Sequence, residues 1–221
     1  MKLTLFDLDH TLIPIDSDYE WGVFTTALGW NDAAEFSRCN EVFYEQYKSG
    51  TLDIRDYVRF ATAGLRRQGP QQSAQAHTAF MREVIEKAIR PQARALVREH
   101  QKAGDSVAVV TATNEFVTRP IAQAFGVNEL IAINLQRDPQ SDWFTGEIDG
   151  TPSFREGKVA RVQSWLSDRH LNWDDVQTTF YSDSINDMAL LERVNHAVAT
   201  NPDDRLRAIA LARNWRILDL F

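Results

Sequence analysis

Two aspartates that could do nucleophilic or acid–base chemistry, Asp7 and Asp9, stand at the end of the apolar run 2–8 (KLTLFDL). Such a run predicts a buried strand, and residues two apart in a strand point to the same side. Both carboxylates would leave the strand at the end where parallel sheets bind ligands. Neighbouring carboxyls resist joint ionisation, so one can act as nucleophile or metal ligand and the other as general acid and base. The alternative is a solvated turn rich in aspartate.

A hydroxyl at the end of a second apolar run could bind a phosphoryl oxygen. Thr111 has this position in the segment 107–113 (VAVVTAT), directly before a predicted helix. A strand-end hydroxyl next to the free backbone amides that open a helix suits an anionic oxygen. The alternative is an ordinary threonine at the end of a strand.

Lys158 is a candidate cation near the start of the predicted helix 155–168. A lysine is a compact point charge that can neutralise a phosphate or steady a carboxylate nucleophile. Taken without context it is more typical of a solvated helix surface, and Arg155 and Arg161 compete with it for the role by charge.

The segment 181–187 (YSDSIND) supplies candidate metal ligands. It places Asp183 at the end of a predicted strand and Asp187 four residues later, in the first turn of a predicted helix. Hard oxygen ligands at this spacing suit magnesium, which prefers one or two carboxylates completed by waters and phosphate oxygens. The alternative is a simple helix start, because aspartate and serine are good N-caps.

The elements that must position these residues alternate between strand and helix, which predicts an open, doubly wound parallel sheet with right-handed crossovers. Apolar residues recur at helical spacing through 19–89, and glycines at Gly29, Gly50 and Gly69 divide that stretch into about four helices. We predict an α/β core domain of residues 1–14 and 91–221, interrupted by an all-helical cap domain of residues 15–90. The core elements are predicted as helices at 91–103, 115–125, 155–168, 185–192 and 202–213 and strands at 106–111, 130–135, 144–148, 177–181 and 196–199.

Composition excludes several classes of protein. The 221 residues carry a net charge of -7, which argues against a nucleic-acid partner. Cys39 is the single cysteine, so a disulfide framework or a multi-cysteine zinc site is excluded. Asp7 and Asp9 interrupt the first apolar run before it could serve as an export signal, and the longest uncharged stretch is too polar to span a membrane. The cytoplasm is the expected location, and nothing in the residues specifies an oligomeric state.

Four segments in order, FDLDHTL, VVTAT, Lys158 and YSDSINDMALL, resemble the four motifs of the haloacid dehalogenase (HAD) superfamily. The helical block directly after the first motif resembles the cap of its phosphoserine-phosphatase-like branch, subfamily IB, as does the WFTGEIDGTPSFREGK stretch before the lysine. The resemblance covers nearly the whole chain. It implies a Rossmann-like core with a helical cap that closes over the carboxyl edge of the sheet.

The resemblance also implies a magnesium-dependent phosphatase that hydrolyses a small phosphomonoester through an aspartyl-phosphate. By position, Asp7 would attack phosphorus and bind Mg²⁺, and Asp9 would act as acid and base with its carbonyl on the metal. Asp183 would ligate Mg²⁺ with the support of Asp187. Four residues would contact the transferring phosphoryl group: Thr111, Ala112, Lys158 and Asn186. His10 is expected to be a local structural partner.

Substrate choice depends on residues of the predicted cap. In phosphoserine phosphatases an acidic residue nine positions after the nucleophile contacts the substrate ammonium, and Asp16 has that position here. The matching place for their carboxylate-binding arginine is Ala61, with Arg59 two residues earlier. A site without that arginine would suit an amine-bearing phosphate that has no carboxylate, such as histidinol phosphate, whose ring an aromatic residue could stack on. The candidate specificity residues are Asp16, Asp18, Glu20, Trp21 and Arg59.

Three alternatives stay open for this substrate site and for the activity. Asp16 and Asp18 could merely cap the first helix of the insertion, and Trp21 could belong to its core. The same chemistry could transfer phosphate between two hydroxyls, as a mutase does, although the cap type speaks against it. The chain could also be a non-catalytic module that binds phosphate and regulates.

Overall fold

A six-stranded, all-parallel sheet forms the centre of the computed structural model, which describes every residue from Met1 to Phe221. A separate two-stranded antiparallel hairpin consists of β4 and β5. The strands in chain order are β1 Lys2–Phe6, β2 Ser106–Asn114, β3 Glu129–Ile133, β4 Leu135–Arg137, β5 Phe144–Ile148, β6 Gln177–Ser182, β7 His196–Thr200 and β8 Arg216–Leu218.

Ten α-helices connect these strands. They are α1 Ser17–Ala27, α2 Ala33–Ser49, α3 Ile54–Ala61, α4 Ala63–Phe80, α5 Glu86–Ala88, α6 Pro91–Lys102, α7 Glu115–Ala124, α8 Glu156–Ser167, α9 Met188–Arg193 and α10 Asp204–Ala212. A π-helical turn, Met81–Ile85, joins α4 to α5, and short 3-10 turns cover Trp173–Asp175 and Ile185–Asp187. None of the helices combines the length and the apolar character that crossing a membrane requires.

The sheet order β3-β2-β1-β6-β7-β8 places β1 between β2 and β6. The chain winds outward in both directions from this central strand, so the sheet has its topological switch point there. In open parallel sheets the crevice beyond the carboxyl ends of the strands at such a point is where ligands bind. The predicted α/β fold with a doubly wound parallel sheet is confirmed.

Alternate residues of β1 point into two separate hydrophobic clusters, one on each face of the sheet. Leu3 and Leu5 pack on one face with Phe180, and Phe6 packs on the other with Tyr181. All five side chains are at most 2% exposed. Burial on both faces explains why this strand is a continuous apolar run rather than an alternating one.

The chain between β1 and β2 is all-helical from α1 to α6, as the apolar spacing predicts. Asp16, Asp32 and Asp53 cap α1, α2 and α3 by accepting hydrogen bonds from backbone N–H groups of the first turn. Gly50 ends α2 in the left-handed conformation at φ 79°. Gly69, at φ 77°, bends α4 without ending it, because Pro70 begins the second part of the helix. Residues 15–90 are called the helical insertion below, and their assignment as a cap domain stays a prediction.

The helical insertion packs directly on one face of the sheet. Trp21 of α1 is 2% exposed and lies in one cluster with Phe80 of α4 and Phe116 of α7. The same cluster includes Phe6 of β1. Gly22 lets α2 approach α1, because a Cβ at this position would collide with the ring of Phe36.

Several boundaries differ from those predicted. β2 continues to Asn114, three residues beyond the apolar run, because its polar end lines the switch point. The predicted helix 185–192 begins as a 3-10 turn, and α9 starts only at Met188. The sequence did not predict β4 or β8, which are three residues each and too short to show a periodic pattern.

Candidate active site

The nucleophile candidate, Asp7, lies directly after β1 and forms a buried ion pair with Lys158. The ammonium nitrogen of Lys158 is 2.8 Å from Oδ1 of Asp7 and 2.8 Å from Oδ2 of Asp187. Lys158 is in the first turn of α8, while the backbone N–H of Asp7 donates to the carbonyl of Tyr181 on β6. Burial alone would lower the pKa of Lys158, but the charges of Asp187 and Asp7 raise it above its ordinary value. The lysine is therefore cationic at neutral pH.

Asp187 supports this ion pair from the segment after β6. Its Oδ2 accepts hydrogen bonds from Nζ of Lys158 at 2.8 Å and from the hydroxyl of Ser182 at 2.7 Å. Burial raises the pKa of Asp187 to about 6, and the charge of Lys158 opposes that rise. With two donors on one oxygen, Asp187 is placed to hold the lysine.

Asp183 is connected to the first motif through Thr11. The hydroxyl of Thr11 donates to Oδ1 of Asp183 at 3.0 Å, and the backbone N–H of Asp183 donates back to the same hydroxyl at 3.0 Å. Burial raises the pKa of Asp183 well above its usual value, and the negative charges of Asp7 and Asp187 add to that rise. The cluster thus holds more negative charge than Lys158 neutralises.

Asp9 forms no ion pair with Lys158 and has its own hydrogen-bond partners. Its Oδ1 accepts from the backbone N–H of Ser17 at 2.8 Å, and its Oδ2 accepts from the hydroxyl of Thr113 at 2.9 Å. Burial and the charge of Asp16 raise the pKa of Asp9, although hydrogen bonds from Ser17 work against the rise. Asp9 therefore keeps its proton to a higher pH than a solvated aspartate does.

Thr111 lies in the buried end of β2, as a phosphate ligand at the switch point would. Its hydroxyl oxygen accepts the backbone N–H of Thr113 at 3.1 Å, while its own proton has no acceptor within the protein. That proton is available to an anionic oxygen. The two other predicted phosphate ligands are half-buried: Ala112 lies within the polar end of β2, and Asn186 lies in the 3-10 turn after β6.

The oxygen atoms around Asp7 form a donor set that fits magnesium. Asp7 and Asp183 each accept a protein hydrogen bond on Oδ1 and none on Oδ2. No three histidine, cysteine, aspartate or glutamate side chains converge as a metal cage. A pair of carboxylates with a free oxygen each is what Mg²⁺ requires when water and phosphate complete its shell. The negative charges of Asp7 and Asp187, which raise the pKa of Asp183, provide a further electrostatic reason for a cation here.

The acidic specificity candidates surround the start of α1. Asp16 caps the helix through its carboxylate. Asp18 is buried, accepts from the side-chain amide of Asn114 at 3.2 Å and is hydrogen-bonded to the hydroxyl of Tyr57. Burial and the charge of Asp16 raise the pKa of Asp18 to about 7. Glu20 is half-buried, and its carboxylate has no ion-pair or hydrogen-bond partner.

The two remaining specificity candidates, Trp21 and Arg59, have partners of other kinds. Trp21 packs in the aromatic cluster described above, so its main role in the structure is packing. Arg59 forms a bidentate ion pair with Glu147 of β5, at 2.8 and 2.9 Å, and remains 47% exposed. The structure therefore holds its guanidinium on the outside of the helical insertion, against the hairpin.

A cavity of about 170 Å³ lies within the helical insertion, with Asp18 and Tyr57 in its wall. Its apolar lining includes Trp21, Phe36 and Phe60. Burial raises the pKa of Tyr57, and the charges of Asp18, Asp16 and Asp9 add to the effect. Tyr57 thus lines this cavity together with Asp18, to which it is hydrogen-bonded.

Several residues at the site were not singled out from the sequence. Thr11 and Thr113 stand inside the motifs, and attention to every hydroxyl there would have found them. Asn114 carries the signal of an N-cap, which it also is, since its Oδ1 accepts the N–H of Val117. Tyr57 and a second tyrosine, Tyr47, carry no local signal, because their approach to the site depends on how the helical insertion packs.

Comparison with known proteins agrees with this geometry. Residues 4–192 match the haloacid dehalogenase-like hydrolase family. The chain is 41% identical over 219 residues to a histidinol-phosphatase of Neisseria meningitidis, covering 99% of this chain and 98% of that protein. It is 30% identical over 217 residues to phosphoserine phosphatase SerB1 of Mycobacterium tuberculosis, covering 97% and 69%.

Solved structures show the same fold. A protein of unknown function from Bordetella pertussis Tohama I superposes with a TM-score of 0.93 at 48% identity, covering 100% of this chain and 99% of that one. A phospho-aspartyl intermediate analogue of phosphoserine phosphatase superposes with a TM-score of 0.66 at 18% identity, covering 100% and 93%. At that identity the second likeness concerns the fold alone.

The chain belongs to the haloacid dehalogenase-like hydrolase family. The resemblance stated from the four motifs is confirmed, and with it the enzyme class, a phosphoric monoester hydrolase of this family.

Proposed function

We propose that this enzyme is a magnesium-dependent phosphatase that hydrolyses histidinol phosphate through an aspartyl-phosphate on Asp7. The observation that carries the catalytic part is the buried contact between Lys158 and Asp7, with Asp183 and Thr111 beside it. Asp7, Asp183 and the backbone carbonyl of Asp9 would hold Mg²⁺, which supplies positive charge to the phosphoryl oxygens when it is bound.

The first step forms a bond between a carboxylate oxygen of Asp7 and phosphorus, and breaks the bond from phosphorus to the substrate's alcohol oxygen. Lys158 keeps Asp7 oriented and neutralises charge on the transferring group, to which the free hydroxyl proton of Thr111 is also directed. Asp9 donates its proton to the departing oxygen, which takes the electron pair of the broken bond.

The second step returns the enzyme to its initial state. Asp9, now ionised, accepts a proton from a water molecule whose oxygen attacks the phosphorus of the aspartyl-phosphate. The bond from phosphorus to Asp7 then breaks, which releases inorganic phosphate. The hydrogen bonds from Ser17 and Thr113 hold the carboxylate of Asp9 in one orientation through both proton transfers. We further propose that residues 15–90 act as the cap that excludes bulk water during these steps.

The acids at the start of α1 support a cationic leaving group. The charge of Asp16 acts on both Asp9 and Asp18, and Arg59 is bound to Glu147 instead. Arg67, the arginine in the wall of the cavity beside Asp18, donates its hydrogen bonds to the carbonyl of Trp30 and the side-chain oxygen of Asn31. An ammonium group would find compensating charge there, whereas the carboxylate of phosphoserine would be repelled. The cavity beyond Asp18 and Tyr57 offers aromatic surface of a size that an imidazole could use. The 41% identity to a histidinol-phosphatase supports the same substrate.

The test is a phosphate-release assay with Mg²⁺ on histidinol phosphate, phosphoserine and p-nitrophenyl phosphate. We expect kcat/KM for histidinol phosphate to exceed that for phosphoserine by at least about tenfold, the effect of one charge-assisted contact. A clear preference for phosphoserine would overturn the substrate. Transfer to a second substrate hydroxyl without net release of phosphate would indicate a mutase, and inactivity on a broad panel of phosphomonoesters would indicate a binding module.

Asp18→Asn and Glu20→Gln form a matched pair for the specificity site. The first removes a buried charge that has partners, and the second removes a half-buried charge on the same helix that has none. We expect Asp18→Asn to lower kcat/KM for histidinol phosphate by about 10- to 100-fold, and to change that for p-nitrophenyl phosphate far less. Glu20→Gln should leave both within about threefold. Equal losses on both substrates would remove Asp18 from the specificity site.

A further inference from the structure

Helix α2 of the helical insertion touches the loop 182–187 through one side chain, Tyr47. Its hydroxyl oxygen lies 3.0 Å from Oγ of Ser184, and the hydroxyl is also within hydrogen-bonding reach of the side chain of Asn186. Its ring also packs near Phe154, with ring centroids 6.4 Å apart. Burial raises the pKa of Tyr47, and the negative charges of Asp187 and Asp183 add to the rise, so the hydroxyl keeps its proton at neutral pH. A protonated hydroxyl can donate to Ser184.

The contact partner, Ser184, belongs to a continuous series of hydrogen bonds. Its hydroxyl accepts the backbone N–H of Asn186 at 3.2 Å, and its own N–H donates to Oγ of Ser182 at 3.2 Å. Ser182 in turn donates to Asp187 at 2.7 Å, and Asp187 accepts from Lys158. Since Lys158 binds Asp7, the series runs from the helical insertion to the candidate nucleophile.

The apolar contacts of α2 are with neighbouring helices, where Phe36 and Phe43 pack on the ring of Phe60 of α3. None of its residues from Ala33 to Ser49 is buried, so few apolar contacts fix its position relative to the sheet. An element with little buried apolar surface opens at low free-energy cost, and single polar contacts then have a large influence on where it rests. The bond from Tyr47 to Ser184 is such a contact, and it ends on the loop that presents Asp183 and Asp187.

We propose that Tyr47 is a positioning residue that orders the loop 182–187 when α2 lies over the site. When α2 is in place, the hydroxyl of Tyr47 fixes the side chain of Ser184. Ser184 in turn fixes the backbone on both sides of Asp183. When α2 moves away, the loop loses this restraint. The helical insertion would thereby set the geometry of the phosphoryl-binding groups without touching the phosphoryl group itself.

The test compares Tyr47→Phe with Tyr44→Phe. Tyr44 lies three residues earlier on the same helix, is 57% exposed and contacts only the ammonium of Lys48, so its substitution removes a hydroxyl that has no role in the series. Amide hydrogen exchange is measured on the metal-free protein, with β8 as the internal reference. We expect Tyr47→Phe to speed exchange in 182–187 by about tenfold, the effect of one lost hydrogen bond, and to leave β8 unchanged. Tyr44→Phe should change neither region.

A double-mutant cycle with Ser184→Ala separates a positioning role from the other possibilities. Both single variants should lower kcat by about tenfold or more with little change in KM, and the double variant should lose no more than Ser184→Ala alone, which also removes the bond from the N–H of Asn186. Additive losses would overturn the proposal. So would uniformly faster exchange, which indicates lost global stability, or a change in KM with unaltered exchange, which indicates direct substrate contact. The exchange measurement needs no substrate, so its outcome is independent of the histidinol phosphate assignment.

Discussion

The ammonium nitrogen of Lys158 lies 2.8 Å from a carboxylate oxygen of Asp7, and their side chains are only 3% and 10% exposed. One is on a helix and the other follows the central strand, so the fold brings together two charges that are 151 residues apart. In this buried environment, water cannot take the place of either charged partner. The pair therefore links catalysis and stability, because removal of Lys158 leaves Asp7 and Asp187 buried without a counter-charge, whereas removal of Asp7 leaves Lys158 paired with Asp187.

Lys158→Met is expected to abolish most activity and to destabilise the protein. It leaves Asp7 and Asp187 without a counter-charge, and breaking a buried ion pair in this way costs about 3–5 kcal/mol. We expect kcat to fall by at least about 10³-fold, the scale of one lost group that stabilises transition-state charge. Arg161→Met is the matched control, because Arg161 lies one turn later on the same helix and binds only Asn134. Phosphate release near the wild-type rate in Lys158→Met would contradict the assignment.

Asp7→Asn and Asp9→Asn should fail at different steps. An asparagine at position 7 cannot form the acyl phosphate, so no phosphoenzyme should be seen by mass spectrometry of acid-quenched enzyme. An asparagine at position 9 cannot protonate the leaving oxygen, so turnover should depend strongly on the leaving group. We expect p-nitrophenyl phosphate, which departs without protonation, to retain more activity than an alkyl phosphate by about 10²-fold. Measurable turnover by Asp7→Asn would exclude it as the nucleophile.

Asp183→Asn should stabilise the metal-free protein and at the same time remove its response to Mg²⁺. The pKa of Asp183 is raised by burial and by the charges of Asp7 and Asp187, so its ionised form is unfavourable when no cation is present. Differential scanning fluorimetry with and without Mg²⁺ measures both effects. The wild type should show a clear rise in Tm with Mg²⁺, by mass action on the folded state. Asp142→Asn, with a side chain that is 86% exposed, serves as the control. An unchanged Mg²⁺ response in Asp183→Asn would exclude a ligand role.

The parts of the site that could be predicted from sequence are those set by local geometry. Asp7 and Asp183 each follow an apolar strand and Thr111 ends an apolar run, and in a parallel sheet the ends of neighbouring strands share one edge. Lys158 could be assigned only through the resemblance, because no local pattern distinguishes it from a solvated helix lysine. Its contact with Asp7 depends on how α8 packs against the sheet.

The roles of the helical insertion could not be predicted in the same way. Its helices and caps follow from Asp16, Asp32 and Asp53, which are local signals. Which side chains face the sheet depends on the angles between helices, and these follow from packing across distant segments. From sequence alone, Tyr47 is therefore one of many residues on an apolar helix face, and Arg59 is a candidate for binding the substrate.

Arg59→Ala is expected to leave substrate selectivity unchanged. Its guanidinium is committed to Glu147 and Asp56 on the exposed side of the helical insertion, away from Asp18. The ratio of kcat/KM for histidinol phosphate to that for phosphoserine should stay within about twofold of wild type. Glu147→Ala should have the same small effect, and a double-mutant cycle in low and high salt should give a small coupling energy that salt reduces further. A large, selective loss in Arg59→Ala would place its guanidinium on the substrate.

Asp18→Asn should change how stability depends on pH. Burial, followed by the charge of Asp16, raises the pKa of Asp18 from 3.8 to about 7. The folded state thus holds this proton through a range in which the unfolded chain releases it, so the contribution of Asp18 to stability is greatest below pH 4. It declines as the pH rises towards 7 and is lost above that value.

The asparagine variant removes this titration, so its stability relative to wild type should rise with pH between about 4 and 7 and then level off. The pKa difference corresponds to at most about 4 kcal/mol, and relaxation of the site will reduce it. Urea unfolding of both proteins at pH 5, 6, 7 and 8 measures the difference in the free energy of unfolding. The other buried carboxyls titrate equally in both proteins, so the difference isolates Asp18. If the difference in the free energy of unfolding between the two proteins did not change with pH, Asp18 would ionise as an ordinary carboxyl. A raised pKa requires this difference to change between about pH 4 and 7.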